Sequence, residues 1–216
     1  NRKMETDLNT MEVRVLGSLI EKQLATPEYY PLSLNALTNA CNQKSNREPV
    51  VTYDEQTVQG VIDGLVQKGL ILKSEVGRVP KYEERFTRKH NFITRESAVL
   101  CILLLRGPQT IGEIRGRTAR LCTFESLEEV HETLNRLEEW HIVRQLPRQP
   151  GQKESRFIHL LAAEPEMPEK EPGLIAGRVA GPESERDGKI EREIEALRND
   201  LENLKRDFLE FKKRFE

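Results

Sequence analysis

The chain holds 216 residues, 37% hydrophobic, 6% aromatic and 32% charged, with a formal net charge of −2. This composition suits small helical domains and a coiled coil better than one large core, and the near-zero charge excludes a global electrostatic pull toward nucleic acid, leaving only local patches. No apolar run approaches the roughly 18 residues of a membrane span, no apolar leader is visible, and Cys41, Cys101 and Cys122 lack CxxC spacing, so they read as buried thiols of a cytoplasmic protein.

The first element is an amphipathic helix from Asn9 to Leu24, with Val15, Leu16, Leu19 and Ile20 on one face and Thr26-Pro27 at its end. Ser33 caps a second helix with Leu34 and Leu37 inward. A loop from Lys44 to Thr52 leads to a third helix opening on Asp54, where Val58, Val61, Ile62, Leu65 and Val66 make one apolar stripe. Leu70 and Ile71 start a strand, the chain turns around Gly77, and Pro80 to Phe86 returns.

The same order then recurs. Glu96, Val99, Leu100 and Leu103 correspond to Glu12, Val15, Leu16 and Leu19. Thr110 caps the next helix as Ser33 does, with Ile111 and Ile114 matching Leu34 and Leu37, and Glu113 completing a capping box. Ser126 and Glu129 form another box before a third helix whose stripe is Leu127, Val130, Leu134 and Leu137; Val58, Ile62 and Leu65 map onto its last three members. Ile142 and Val143 begin a strand, Pro150-Gly151 turns it, and Ser155 to Leu160 returns, with Phe157 in the place of Tyr82. Helix, helix, helix and hairpin, twice, is the pattern of two tandem winged helix-turn-helix domains, each expected to bury its own core.

From Ala162 to Gly188 the composition shifts to Pro, Gly and Glu, the mark of a linker. Beyond it Ile190, Ile194, Leu197, Leu201, Leu204, Phe208, Phe211 and Phe215 alternate four- and three-residue spacings, a heptad seam. The flanking charges favour a parallel homodimer. The three phenylalanines are bulky for two strands, and a trimer or a helix folded back on its own chain are the competing arrangements.

Catalytic signatures do not emerge. His90, His131, His141 and His159 lie on different elements without paired-ligand spacing, and no GxSxG or phosphate-binding glycine loop occurs. The expectation is a non-enzyme without cofactor or metal. Cys41 lies near Lys44 and Arg47, a setting that lowers a thiol pKa when exposed, but a packed helix cysteine is the simpler reading.

A winged helix calls for a test of nucleic-acid binding. In this fold the third helix enters the major groove. The first repeat turns out Gln56, Gln59, Asp63, Gln67 and Lys68, whose glutamines suit base edges. The second turns out Glu128, Glu129, Glu132, Glu138 and Glu139 against Arg136, a face that repels DNA. Cations gather elsewhere: Lys44 and Arg47 after the second helix, and Arg115, Arg117 and Arg120 at the corresponding junction. The wings add Lys73, Arg78 and Lys81, then Arg144, Arg148, Lys153 and Arg156. These are the candidate phosphate contacts, with ordinary surface salt pairing as the alternative.

The stretches EKQLATPEYYPLSLNALTNACNQKSNREPV, VPKYEERF, LLLRGPQTIGEIRGR and PGQKESRFIHL resemble the uncharacterised bacterial YceH-like family, over roughly residues 9–161. The resemblance implies tandem winged helices in a bacterial cytoplasmic protein with a C-terminal coiled coil, and brings no activity, ligand or catalytic residue. Its motif residues Asn42, Gln43, Lys44, Asn46, Arg47, Glu48 and Pro49 form either a hydrogen-bonded loop fixing the second and third helices or a binding surface. The capping habits of Asn and Glu favour the loop.

The sequence thus reads as a mainly α protein with small β-hairpin wings (α+β). Two tandem winged-helix domains occupy 1–91 and 92–162, followed by a linker at 163–189 and a coiled-coil helix at 190–216. The expected function is non-enzymatic contact with DNA in a regulatory role, as a homodimer. The alternative is a protein-interaction module that does not bind DNA.

Overall fold

The computed structural model describes residues 7–148, 152 and 154–162. Lys153, the Pro150-Gly151 turn, the linker at 163–189 and the heptad residues Ile190 to Phe215 lie outside the described residues.

The described chain is mainly helical, with two small antiparallel strand pairs. The first repeat contains α1 (Thr10–Ala25), α2 (Leu34–Cys41), α3 (Glu55–Gln67), β1 (Ile71–Ser74) and β2 (Lys81–Glu84). A short α4 (Phe86–Lys89), not foreseen from the sequence, leads to the second: α5 (Thr94–Arg106), α6 (Ile111–Thr118), α7 (Leu127–Glu139), β3 (Val143–Gln145) and β4 (Phe157–His159). Each hairpin gains a further bridge from the segment before its second helix. Leu32 pairs with Tyr82 in one repeat and Gln109 with Phe157 in the other.

Capping residues set the helix starts. Asn9 and Glu12 form a reciprocal box on α1, and Thr110 and Glu113 do the same on α6. Ser33 and Asp54 accept from the backbone N–H of Ala36 and Thr57. The box expected at α7 forms only by half: Ser126 accepts from Glu129 N, but the Glu129 carboxylate turns to Glu125 N at 2.9 Å and to Arg95 at 3.2 Å. At α5 the Glu96 carboxylate receives Ile93 N at 2.9 Å, and isoleucine offers no oxygen in return. Helices α3 and α7 both end in a Schellman turn. Leu70 N reaches Leu65 O and Ile142 N reaches Leu137 O, each at 2.9 Å.

The interior departs from the expectation of two separate cores. Val58, Ile62 and Leu65 are fully buried, as are Val130, Leu134 and Leu137, but all belong to one continuous apolar cluster. The cause is α1 against α5. Residues 12 to 21 of α1 and 96 to 105 of α5 are buried all round, so the two helices form a shared spine. They meet at Gly17, where a Cβ atom would lie 3.0 Å from both Leu104 Cβ and Leu105 Cδ2. The stripe assigned to α7 also loses its first member: Leu127, the first residue of the helix, is 45% exposed. Aromatic contacts carry the packing from α4 to the end of α7, with Phe86 on Phe92 at 5.7 Å and Phe92 on Trp140 at 5.5 Å. No helix among the described residues is long and apolar enough to cross a membrane.

Two buried glutamates tie first helices to third helices. Glu12 caps α1 and receives Lys68 Nζ at 2.7 Å, while Glu96, at the matching place on α5, forms an ion pair with Arg136 at 3.0 Å.

Candidate nucleic-acid interface

The loop between α2 and α3 is built from its own hydrogen bonds. Asn42 clasps Tyr53 in both directions, accepting from its N–H at 2.8 Å and donating to its carbonyl at 2.7 Å. Asn46 takes a left-handed backbone, φ 59°, a conformation asparagine tolerates better than most residues. Arg14 of α1 reaches across to the carbonyls of Cys41 and Pro49. Glu48 N donates to Leu105 O at 2.8 Å, which fastens the loop to α5. The motif from Asn42 to Pro49 is therefore largely a fixed loop, with Lys44 and Glu48 turned outward.

Arg47 corrects one sequence assignment. Its side chain is wholly buried, bidentate on Glu21 at 3.2 and 2.5 Å, and donates to Ala40 O at 2.7 Å. A guanidinium so enclosed is not available to a phosphate. Burial raises the Glu21 carboxyl, but the hydrogen bonds and charge of Arg47, with Arg120 and Lys22, outweigh it and hold the group below the usual carboxylate range. The same loop settles Cys41: burial pushes its thiol up despite Arg47 and Arg14 nearby.

The second repeat's arginines are mostly engaged. Arg115 donates to Glu125 O at 2.8 Å and Phe124 O at 3.4 Å, pinning the loop before α7. Arg117 lies 3.6 Å from Glu113, which also receives Arg156 at 2.9 Å. Arg120 pairs with Glu21 of the first repeat. Arg148 donates to Gln152 O at 2.6 Å. The structure thus brings Arg47 and Arg120 together on Glu21 at the seam between the repeats, with Arg117 near enough for Arg106 to feel its charge. Sequence reasoning missed two members of that seam. Glu21 sits at the end of a polar stripe Arg14, Gly17, Ser18, Glu21 that reads as a solvent face. Arg106 ends α5 and donates to Asn46 Oδ1 at 2.5 Å.

On the first repeat, α3 and its hairpin are joined. The Tyr82 hydroxyl donates to Gln59 Oε1 at 3.0 Å, and Gln59 Nε2 donates to Asp63 at 2.8 Å. Gln56 and Gln67 remain exposed on the helix. Lys44, Arg78 and Lys81 have no acid partner among the described residues, and Lys44 and Arg78 are exposed. On the second repeat the corresponding surface is a groove of about 600 Å³ lined by Ile111, Leu127 and Phe157 together with the carboxylates Glu128, Glu132 and Glu154. His159 on β4 is pushed down to about 4 by burial, so it is neutral at physiological pH.

A family model described as "Protein of unknown function, DUF480" matches residues 8–152. A UPF0502 protein of Solibacter usitatus is 51% identical over 99% of this chain and 100% of its own length. Another from Geotalea uraniireducens is 52% identical over the same shares. A third, from Aeromonas hydrophila, is 44% identical over 93% of this chain and 96% of its own.

Proposed function

Since the chain belongs to the DUF480 (UPF0502) family of uncharacterised bacterial proteins, we propose its function from its own geometry: it is a non-enzymatic tandem winged-helix protein of the cytoplasm that contacts duplex DNA in a regulatory role. It works as a homodimer joined by the heptad segment at 190–216. In this reading the bridge of Leu32 to Tyr82 adds the third strand of one wing, and Gln109 to Phe157 that of the other. The observation that carries the DNA contact is the asymmetry of the repeats. Among the described residues, the first repeat pairs Lys44, Arg78 and Lys81 with no acid and turns out the glutamines of α3, whereas the second covers its third helix with carboxylates.

In this reading Lys44, Arg78 and Lys81 meet phosphates, and the glutamines Gln56 and Gln67 meet base edges. The test is fluorescence anisotropy of a generic labelled duplex titrated at several salt concentrations. Binding should weaken linearly in log–log form, with a slope near −0.9 for each phosphate neutralised. Replacing Lys44, Arg78 and Lys81 together by glutamine should reduce both affinity and slope. Absence of binding by the unaltered protein at low salt would sink this reading.

A second reading is favoured by the groove on α7. Its lining of apolar and acidic side chains suits a basic, apolar protein segment and not DNA, which makes the second repeat a protein-interaction surface in this reading. Leu127→Ala with Glu132→Lys should then abolish partner binding while leaving duplex binding unchanged.

A further inference from the structure

We infer that the seam between the two repeats is a phosphate-binding site, built on Arg106, Arg117 and Arg120. The inference rests on the DNA reading for the source of the phosphate, not for the chemistry of the site.

Lys22, Arg47 and Arg120 all lie within ion-pair distance of the single carboxylate Glu21. Arg117 and Arg156 both lean on Glu113. Arg106 has no carboxylate within ion-pair distance among the described residues; its Nη2 is bonded to the neutral amide of Asn46, and its buried Nε has no acceptor. Glu48 is the further carboxylate whose charge Arg106 feels. Three cations therefore share Glu21, two share Glu113, and Arg106 feels Arg117, Arg120 and Arg47 against the one carboxylate of Glu48. The crowding is reflected in Arg106, whose guanidinium is held below its ordinary value by burial and by the charges of Arg117, Arg120 and Arg47. An anion bearing two or more charges relieves that repulsion.

The geometry also favours a phosphate group over a single carboxylate. Planar guanidinium forks match its tetrahedral oxygens two at a time. The forks are held in advance by internal partners: Arg106 by Asn46, Arg117 by Glu113 and Arg120 by Glu21. Less side-chain freedom is lost on binding when donors are already placed. The heads of Arg117 and Arg120 still reach water, at 30% and 43% side-chain exposure. All three forks come from the second repeat, and the first repeat supplies the Asn46 amide and the Glu21 carboxylate that hold Arg106 and Arg120 in place.

The phosphate is either a phosphodiester of the DNA backbone or the phosphate of a small free molecule. The test uses the full chain and the variant Arg106→Gln/Arg117→Gln, checked for folding by thermal melting, with Arg117→Gln alone as the milder variant. One arm follows a labelled generic duplex by anisotropy across salt concentrations. The other follows sodium tripolyphosphate by calorimetry. A duplex affinity at least tenfold weaker in the variant, with a salt slope smaller by about 1.8 for two lost contacts, supports a backbone site. Tripolyphosphate heat that disappears in the variant supports the site with a small phosphorylated ligand, whatever the duplex does. If the unaltered protein binds duplex and the variant binds it equally, with no variant-sensitive tripolyphosphate heat, the inference is overturned while the DNA reading stands. If neither probe binds the unaltered protein, both are overturned.

Discussion

Glu21 and Arg120 stand 99 positions apart in the chain and form an ion pair across the two repeats. The same carboxylate neutralises Arg47, whose side chain has no exposure at all. Replacing one member of a buried pair leaves an uncompensated charge, at about 3–5 kcal/mol. Glu21→Gln is therefore expected to lower stability by that amount in urea denaturation. Arg120→Gln, whose side chain is partly exposed, should cost about 1 kcal/mol or less. Equal effects from the two would contradict the assignment of Glu21 to the buried Arg47.

The same carboxylate predicts an acid limb. Its folded pKa lies below the unfolded one, so its contribution to stability is fully present above the unfolded value, about 4.3. That contribution is lost as pH falls through the depressed folded value. The stability of the unaltered protein should fall on acidification below pH 5, and Glu21→Gln should flatten that fall. A parallel pH profile in the variant would show that other carboxylates carry the limb.

Local signals in the sequence found the helices and hairpins because those are decided locally. Ser33, Asp54, Thr110 and Ser126 all cap helices where their chemistry places them. The spacing of Val58, Ile62 and Leu65, and of Val130, Leu134 and Leu137, marks the buried faces correctly. What periodicity does not carry is the partner of a face. The stripe Arg14, Gly17, Ser18, Glu21 looks solvent-facing until α5 and the α2–α3 loop cover it. Arg47 reads as a phosphate contact for the same reason: its carboxylate lies on α1, two helices back and 26 positions away. Arg106 reads as an ordinary last-turn cation until Asn46 is brought against it.

The shared spine predicts cooperative unfolding of the described unit. At Gly17 an added methyl would press on Leu104 Cβ, which is fixed by its own backbone. Overpacking of this kind costs about 1–3 kcal/mol. Leu134→Ala, in the other half of the same cluster, should cost about 2–5 kcal/mol. Thermal melts followed by circular dichroism and by Trp140 fluorescence should coincide for both variants, each with one transition. A Gly17→Ala protein that melts in two steps would mean that the repeats hold separate cores after all.

Gly69 and His141 occupy equivalent ends of α3 and α7, and both have left-handed backbones, φ 68° and 55°. Glycine adopts this conformation without cost, whereas an L side chain loses about 1 kcal/mol there. The His141 side chain is exposed. His141→Gly is expected to raise stability by about 1 kcal/mol, and Gly69→Ala to lower it similarly, since no atom within 4 Å would meet the new Cβ. A destabilised His141→Gly protein would show that the imidazole makes a contact worth more than the backbone relief.

The last expectation concerns the heptad segment, whose charges set its direction. Glu193, Asp200 and Asp207 take g positions, and Arg198, Lys205 and Lys212 take the e positions five residues on. In a parallel pair each g faces the following e of the partner, so all three contacts join opposite signs. An antiparallel pair sets g against g, mostly acid on acid. A chain ending at Gly188 should sediment as a monomer and keep the melting profile of the preceding domains. It should also bind a generic duplex more weakly, because the second half of a bivalent contact is gone. If that chain still sediments as a dimer, the interface lies in the helix–hairpin repeats, and the coil has another purpose.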